Sequence, residues 1–315
     1  MTDFEGDHVV VGSEEATLGE RLGIGVEGSV YALPGSDEVV KVFEEERRSE
    51  KADKVRAMIA NPPTDTTHLQ SDVRSIVWPT GVVEDRSGSF LGYTMPRVDL
   101  DQYKDAHRYA REDLRWADSD PERRYATAHN LAIVVDAIHE QDHAIGDLNH
   151  GDILVDDRYV TLIDCDAFHI SGEDGAYGGD TYLPRYAPLE GRGDSLDAAR
   201  EADRFGLGVH IFQLLMEGFH PFQAQGRWAQ SGGFADMIEN NPFPYEDPEP
   251  DEVEPHDDAP DYDRLPENVR DLFADCFDGK ACGWIRPSPD DWIVALRRAA
   301  GLLEPDDGSD DLPPY

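Results

Sequence analysis

The stretch from Ile145 to Phe168, IGDLNHGDILVDDRYVTLIDCDAF, narrows the possible folds more than any other part of the chain. It sets four acids, Asp147, Asp152, Asp164 and Asp166, around two apolar runs, Ile153-Leu154-Val155 and Val160-Thr161-Leu162-Ile163. The turn-like Asp156-Asp157-Arg158-Tyr159 separates the runs, which predicts a short β-hairpin with carboxylates at its mouth. Negative charges held together beside buried strands are costly unless a cation shares the site. The stretch therefore predicts a site for a divalent metal and phosphate.

Upstream, Leu18 to Tyr31 reads LGERLGIGVEGSVY, in which Gly23, Gly25 and Gly28 fit G-x-G-x-x-G and Val30 comes next but one. A dinucleotide-binding fold would need a helix directly after the third glycine. The chain instead continues with Ser-Val-Tyr-Ala-Leu, the turn Pro34-Gly35-Ser36-Asp37, then Glu38-Val39-Val40-Lys41-Val42-Phe43. These are strand-type residues on both sides of turns. A glycine loop between two strands lies over a nucleotide's phosphates as a flap. Lys41 falls inside an apolar strand, where it needs an anionic partner unless it is an edge lysine reaching solvent.

Glu44 to Ala60 predicts a helix stopped by Asn61-Pro62-Pro63. Val73–Val77, Gly81–Val83 and Phe90–Met95 read as strands, and the polar stretch from Arg97 through Glu122 marks a boundary between lobes. Beyond it, Leu131, Val134, Val135 and Ile138 form one buried face of a helix over Tyr125–Gln141. His169–Leu196 predicts an extended loop across a cleft. Asp203–Met216, DRFGLGVHIFQLLM, is the most apolar helix and belongs at the centre of the core. Residues 246–263 are acidic and proline-rich, as in an exposed linker or mobile insert, and Leu265–Leu302 returns to helix.

Charge sets the background against which these acids are weighed. The 315 residues carry 67 acids against 28 basic residues, a net charge of −39 spread over every segment, and lysine is scarce. Such a chain repels a nucleic-acid backbone, which argues against that partner. The composition resembles proteins of salt-accumulating halophiles, whose molar salt screens charges within a few ångströms. A single Asp or Glu here is mostly solvated surface, so only acids at constrained spacings carry information. The three cysteines have no paired spacing, which argues against a disulfide framework or zinc site. No apolar run approaches a membrane span and the N-terminus has no signal-peptide pattern, so a soluble cytoplasmic protein without membrane partners is expected.

Glycine flap, strand lysine, helix, proline-marked hinge, helical lobe and acidic hairpin occur in an order that resembles a eukaryotic-type protein kinase over roughly Leu18–Leu302. Asp147-Leu-Asn-His-Gly-Asp152 is similar to the catalytic loop, and Leu-Ile-Asp164-Cys-Asp to the strand bearing the metal aspartate. Ala187-Pro188-Leu189-Glu190 resembles the A-P-E motif, Asp203-Arg-Phe-Gly206 the start of the central helix, and Arg286 the late arginine paired with Glu190. GDLN…ILVD…LIDCDAF, TMPRV and RPS…DW are closer still to a prokaryotic, haloarchaeal-looking branch related to helix-hairpin-helix-associated kinases. The resemblance implies an α+β, bilobal kinase-like fold. An arm of residues 1–17 would precede a β-rich N-lobe with one helix, about 18–96, and a mainly helical C-lobe, about 99–302. Residues 303–315 would form a disordered acidic tail.

The resemblance also implies roles. Gly23, Gly25 and Gly28 would cover the phosphates of ATP, and Lys41 would neutralise them. Val30 and Leu154 would sandwich adenine, and the backbone at Val98 would form the hinge. Asp152 and Asp164 would hold Mg²⁺ or Mn²⁺, and Asp147 would face the attacking hydroxyl. A helix acid should pair with Lys41; Glu50 is the candidate, with Asp53 behind it. Asp152 stands where kinases carry Asn, Asn149 where they carry Lys, Gly146 where they carry Arg, and Cys165-Asp166 where they carry Phe-Gly. Asp166 has no role in that pattern. The activity implied is ATP-dependent phosphorylation of Ser or Thr in a protein substrate. A nucleotide-binding pseudokinase scaffold and a small-molecule kinase are the alternatives.

Overall fold

The computed structural model describes residues 3–64, 73–106, 121–172, 175–178, 185–186, 188, 195–227, 229, 233–240, 242–245, 253–277 and 286–300. The first hundred residues alternate β-branched and aromatic positions with short turns, and they build one antiparallel sheet. Its strands are β1 (His8–Val11), β2 (Glu14–Thr17), β3 (Arg21–Ile24), β4 (Gly28–Ala32), β5 (Glu38–Phe43), β6 (Gly81–Glu84) and β7 (Phe90–Pro96). They lie in the order β2-β1-β6-β7-β5-β4-β3, so the first hairpin is an edge and β5 is interior. Val9, Leu18, Tyr31, Val40, Val42, Val83 and Leu91 pack on one face. Phe43 and Tyr93 pack on the other, against Val55 of helix α1 (Glu45–Ala60). Gly28 is required where β4 meets β5, because a Cβ there would run into the carbonyl oxygen of Val42.

The helical lobe is built on α2 (Pro121–Glu140) and α3 (Leu196–Leu215), with a smaller helix α4 (Phe234–Asn240) and then α5 (Glu267–Phe277) and α6 (Pro289–Ala299). α3 is buried along most of its length from Ala202 to Leu215, as its apolar sequence predicts. Ser195 caps its N-terminus, and Ser288 with Asp291 forms a capping box on α6. Fully burying each large apolar side chain of this core contributes roughly 1.5–3 kcal/mol. No described helix is long and apolar enough to cross a membrane. The architecture is the expected mixed α+β one, with a seven-stranded antiparallel sheet in one lobe and helices in the other, compatible with a bilobal kinase-like fold.

The lobes meet along short strands. After Pro96 the chain enters β8 (Lys104–Asp105), which pairs with β9 (Ile153–Asp156); β9 in turn pairs with β10 (Tyr159–Leu162). The latter two are the predicted hairpin. Val73–Val77 is not a strand of the large sheet, contrary to its composition. Its backbone bonds go to β10 instead, from Val77 N to Leu162 O and from Leu162 N to Ser75 O, each 2.8 Å. Within the segment expected to be an extended loop, β11 (Ile170–Gly172) and β12 (Gly175–Tyr177) form a second hairpin beside α1. Ala187, Leu189 and Glu190 of the A-P-E-like motif, residues 246–252 of the acidic segment and the tail lie outside the described residues. Nearer α5, β14 (Glu254–Pro255) pairs with β13 (Ala224–Gln225).

Candidate active site

Three elements converge between the lobes: the β3–β4 flap, β5 with its lysine, and the loops flanking the β9–β10 hairpin. The flap closes on itself, with Gly25 N donating to Gly28 O at 2.8 Å, and Gly23 opposes Val30 across the β3–β4 ladder. Lys41 faces out of β5 toward the helical lobe. Its Nζ lies 2.5 Å from Asp164 Oδ1 and 2.6 Å from Asp166 Oδ1. Burial alone would drive the Lys41 amine toward neutrality, but Asp166 and then Asp164 outweigh it and raise its pKa. The anionic partner that a strand lysine requires is thus supplied by the predicted acidic stretch.

The two carboxylates differ in setting. Asp164 takes a left-handed backbone, φ 59°, and begins a tight 3₁₀ turn over Cys165–Ala167; its side chain is 54% exposed. Asp166, on that turn, is 1% exposed, and its Oδ1 also accepts from Tyr93 OH at 2.7 Å. Burial pushes the Asp166 carboxyl up, and Lys41 overcomes this to hold it below the usual carboxylate range. The Tyr93 phenol is pushed well up by burial and then by Asp166, so it stays protonated as a donor. Cys165 is buried and its thiol is also driven up by burial, the state of a packed residue rather than a reactive one.

Asp147 and Asp152 come from the loop before β9. Gly146 enters it at φ 76°, and a Cβ there would lie 2.6 Å from the His169 ring, so glycine is required where kinases carry arginine. The loop is held from below by fully buried Asp203 of α3, whose carboxylate accepts from Ile145 N at 2.8 Å and Gly146 N at 2.7 Å. Asp147 is half-buried and close enough to act electrostatically on both Asp152 and Tyr186. Asn149 turns its amide onto Asp152, with Nδ2 2.5 Å from Oδ2. Burial, then the Asp164 carboxylate, push the Asp152 carboxyl up to about 7.

Among the described residues, no group of three or more acidic, histidine or cysteine side chains is placed to hold a metal on its own. Asp152 and Asp164 nevertheless fit an ion of the Mg²⁺ kind, which takes one or two carboxylates and completes its shell with water and phosphate oxygens. The mutual repulsion that raises Asp152 is what such a cation would relieve. Val30 is half-buried on β4, Leu154 is buried on β9, and Val98 is half-buried just past the end of β7.

One expectation is corrected. Glu50 is not at Lys41: it is exposed and sits 3.5 Å from Arg47, while Asp53 faces Arg56 at 3.3 Å. The helix turns lysines inward instead. Lys51 Nζ reaches Glu27 Oε2 of the flap at 2.9 Å and the carbonyl of Asp166 at 3.4 Å, and Lys54 Nζ reaches Gly178 O at 3.1 Å. Sequence reasoning assigned no role to Asp166, Tyr93, Lys51, Glu27 or Asp203. The scarcity of lysine was the signal for Lys51: the chain has five, and Lys41, Lys51 and Lys54 are all buried.

No protein-family model matches the chain. Over 298 residues it is 26% identical to Protein kinase YegI of Escherichia coli (strain K12), an alignment covering 90% of this chain and 44% of the relative. Identity and coverage are the same for Protein kinase YegI of Escherichia coli O157:H7. The chain therefore spans less than half the length of the curated relatives it matches. This distant homology supports a protein kinase-like family.

Proposed function

We propose that the chain is an ATP-dependent protein kinase that transfers the γ-phosphate to Ser or Thr hydroxyls with the help of Mg²⁺ or Mn²⁺. The observation that carries this reading is the meeting of Lys41 with Asp164 across the cleft, at 2.5 Å, below the glycine flap. Phosphoryl transfer demands positioning and charge neutralisation more than covalent chemistry. Lys41 supplies a fixed positive charge for the α- and β-phosphates, and the flap backbone from Gly23 to Gly28 covers them. Val30 and Leu154 offer adenine two apolar faces, and the backbone at Val98 offers its edge hydrogen-bonding groups. A divalent ion on Asp152 and Asp164 would neutralise charge developing on the phosphate oxygens. Asp147 orients the acceptor hydroxyl and takes its proton. Asn149 holds the Asp152 carboxylate in place and leaves the γ-phosphate one cation short of the usual kinase set.

A polypeptide acceptor is supported by Tyr186, which lies between β10 and α3 and close enough to Asp147 to feel its charge. Tyr186 stacks on His210 with ring centroids 4.3 Å apart and hydrogen-bonds His150 at 2.9 Å. The kinase-named relatives support the same chemistry, although most of their length lies beyond the match.

The test is incubation of the purified protein with γ-labelled ATP and Mg²⁺ or Mn²⁺ in molar KCl, beside Asp147→Asn and Asp164→Asn. Label on the protein or on a lysate protein, lost in both variants, is the expected result. Nucleotide-dependent thermal stabilisation without any transfer would replace this reading with a pseudokinase. Label in a small metabolite would replace the protein substrate with a small one.

A further inference from the structure

We propose that Asp166 is the positioning residue that holds Lys41 toward the phosphates, in the place the kinase resemblance gives to an acid on the helix. The catalytic part of this proposal rests on the kinase reading; the anchoring part does not.

Lys41 has two carboxylate partners, and only one can remain with it throughout a reaction. Asp164 is half exposed and is the residue that would turn to a metal ion. Asp166 is buried, has a second donor in Tyr93, and its own carbonyl accepts from Lys51. Its position is fixed by β5, β7 and α1 together. Removing such a carboxylate would leave Lys41 buried beside only a half-exposed partner, which is unfavourable.

The helix has no acid available for the task. Glu50 and Asp53 point outward to Arg47 and Arg56. The inward position is taken by Lys51, itself buried and paired with Glu27. An acid at Lys51 would face the buried Asp166 and be repelled, whereas lysine matches it. The acid sits on the turn after β10, and a base sits on the helix where the resemblance places the acid. Lysine alignment then depends on a turn two residues from Asp164 and not on how closely α1 approaches the sheet.

The experiment compares wild type, Asp166→Asn, Tyr93→Phe and Glu50→Gln in molar KCl, with thermal melts to confirm folding. The first measurement is the rate at which an amine-reactive ester modifies Lys41 at fixed pH, located by peptide mass spectrometry. Asp166→Asn should raise the rate several-fold, Tyr93→Phe should raise it less, and Glu50→Gln should match wild type. The second is phosphoryl transfer. Asp166→Asn should lower kcat about 100-fold, the size expected for a misplaced catalytic group, with a smaller change in KM for ATP. Should Asp166→Asn not fold, the milder Tyr93→Phe carries both measurements. Unchanged Lys41 modification in Asp166→Asn and Tyr93→Phe, or a rise in Glu50→Gln alone, overturns the proposal. If wild type transfers no phosphate, the kinase reading fails and the modification rates still decide the anchor.

Discussion

Lys51 Nζ lies 2.9 Å from Glu27 Oε2, so the helix behind the sheet holds the tip of the glycine flap by an ion pair. Both groups are shielded, but unequally: the Lys51 side chain is 4% exposed and Glu27 23%. If Lys51 is removed, Glu27 can turn to water. If Glu27 is removed, the ammonium stays buried beside the Asp166 carbonyl, with only the Asp166 carboxylate, already paired with Lys41, to offset its charge.

The two halves of this pair should therefore fail differently. Glu27→Ala should cost about 3 kcal/mol, the low end for removing one partner of a buried ion pair, and Lys51→Met clearly less. Urea unfolding in molar KCl measures both. Each variant should also raise KM for nucleotide by freeing the flap; equal costs, with nucleotide affinity unchanged, would count against the tether.

Asp203 offers a second test, on the loop that carries Asp147. Its two oxygens satisfy the backbone N–H groups of Ile145 and Gly146 in a fully buried setting. Asp203→Ala leaves both donors without these acceptors, at about 1–3 kcal/mol each, so a loss of about 2–6 kcal/mol is expected. Asp203→Asn keeps one good acceptor and should lie between. Equilibrium denaturation reads the stability. Transfer activity should fall more steeply than stability, because the same bonds aim Asp147.

Gly146→Ala tests the backbone of that loop. Its φ of 76° disfavours any side chain, and the new Cβ would press on His169. A cost of about 2 kcal/mol is expected, seen as a lower melting temperature. An arginine here, as kinases usually carry, should be tolerated no better than alanine.

Acid should weaken the helical lobe through two histidines. Burial lowers His210 and His220 to about 3, with His210 bound to Leu148 O and His220 to Arg185 O. Their folded pKa lies below the unfolded value near 6.5, so the unfolded chain binds more protons in that interval. Their contribution is fully present above pH 6.5 and is lost as pH falls toward 3, at about 1.4 kcal/mol per pH unit for each. Acid also relieves the repulsion of a −39 chain, which acts in the opposite sense. The comparison of wild type with His210→Gln isolates the histidine contribution: the variant should show the shallower fall between pH 6 and 4.

Much of this was legible in the residues. Lys41 announced a partner because an ammonium in Val39–Phe43 has no other means of being accommodated, and the Asp147–Asp164 spacing announced the cleft. Asp203 lies in the most apolar helix, but nothing in the residues says that its donors are the backbone N–H groups of Ile145 and Gly146. Glu50 misled for a physical reason: in a helix this acidic, composition cannot tell which face turns inward. The inward face is marked by the rare residue, lysine, and not by the abundant one. Val73–Val77 misled similarly, since a β-type run does not say which of two sheet edges it will join.

The turn from Asp164 to Asp166 places two carboxylates on one ammonium within three residues of chain. A displacement of the whole turn would carry both away from Lys41 together. Such a displacement would release the lysine from Asp166 as well as from Asp164, which the turning of Asp164 alone toward a metal does not do.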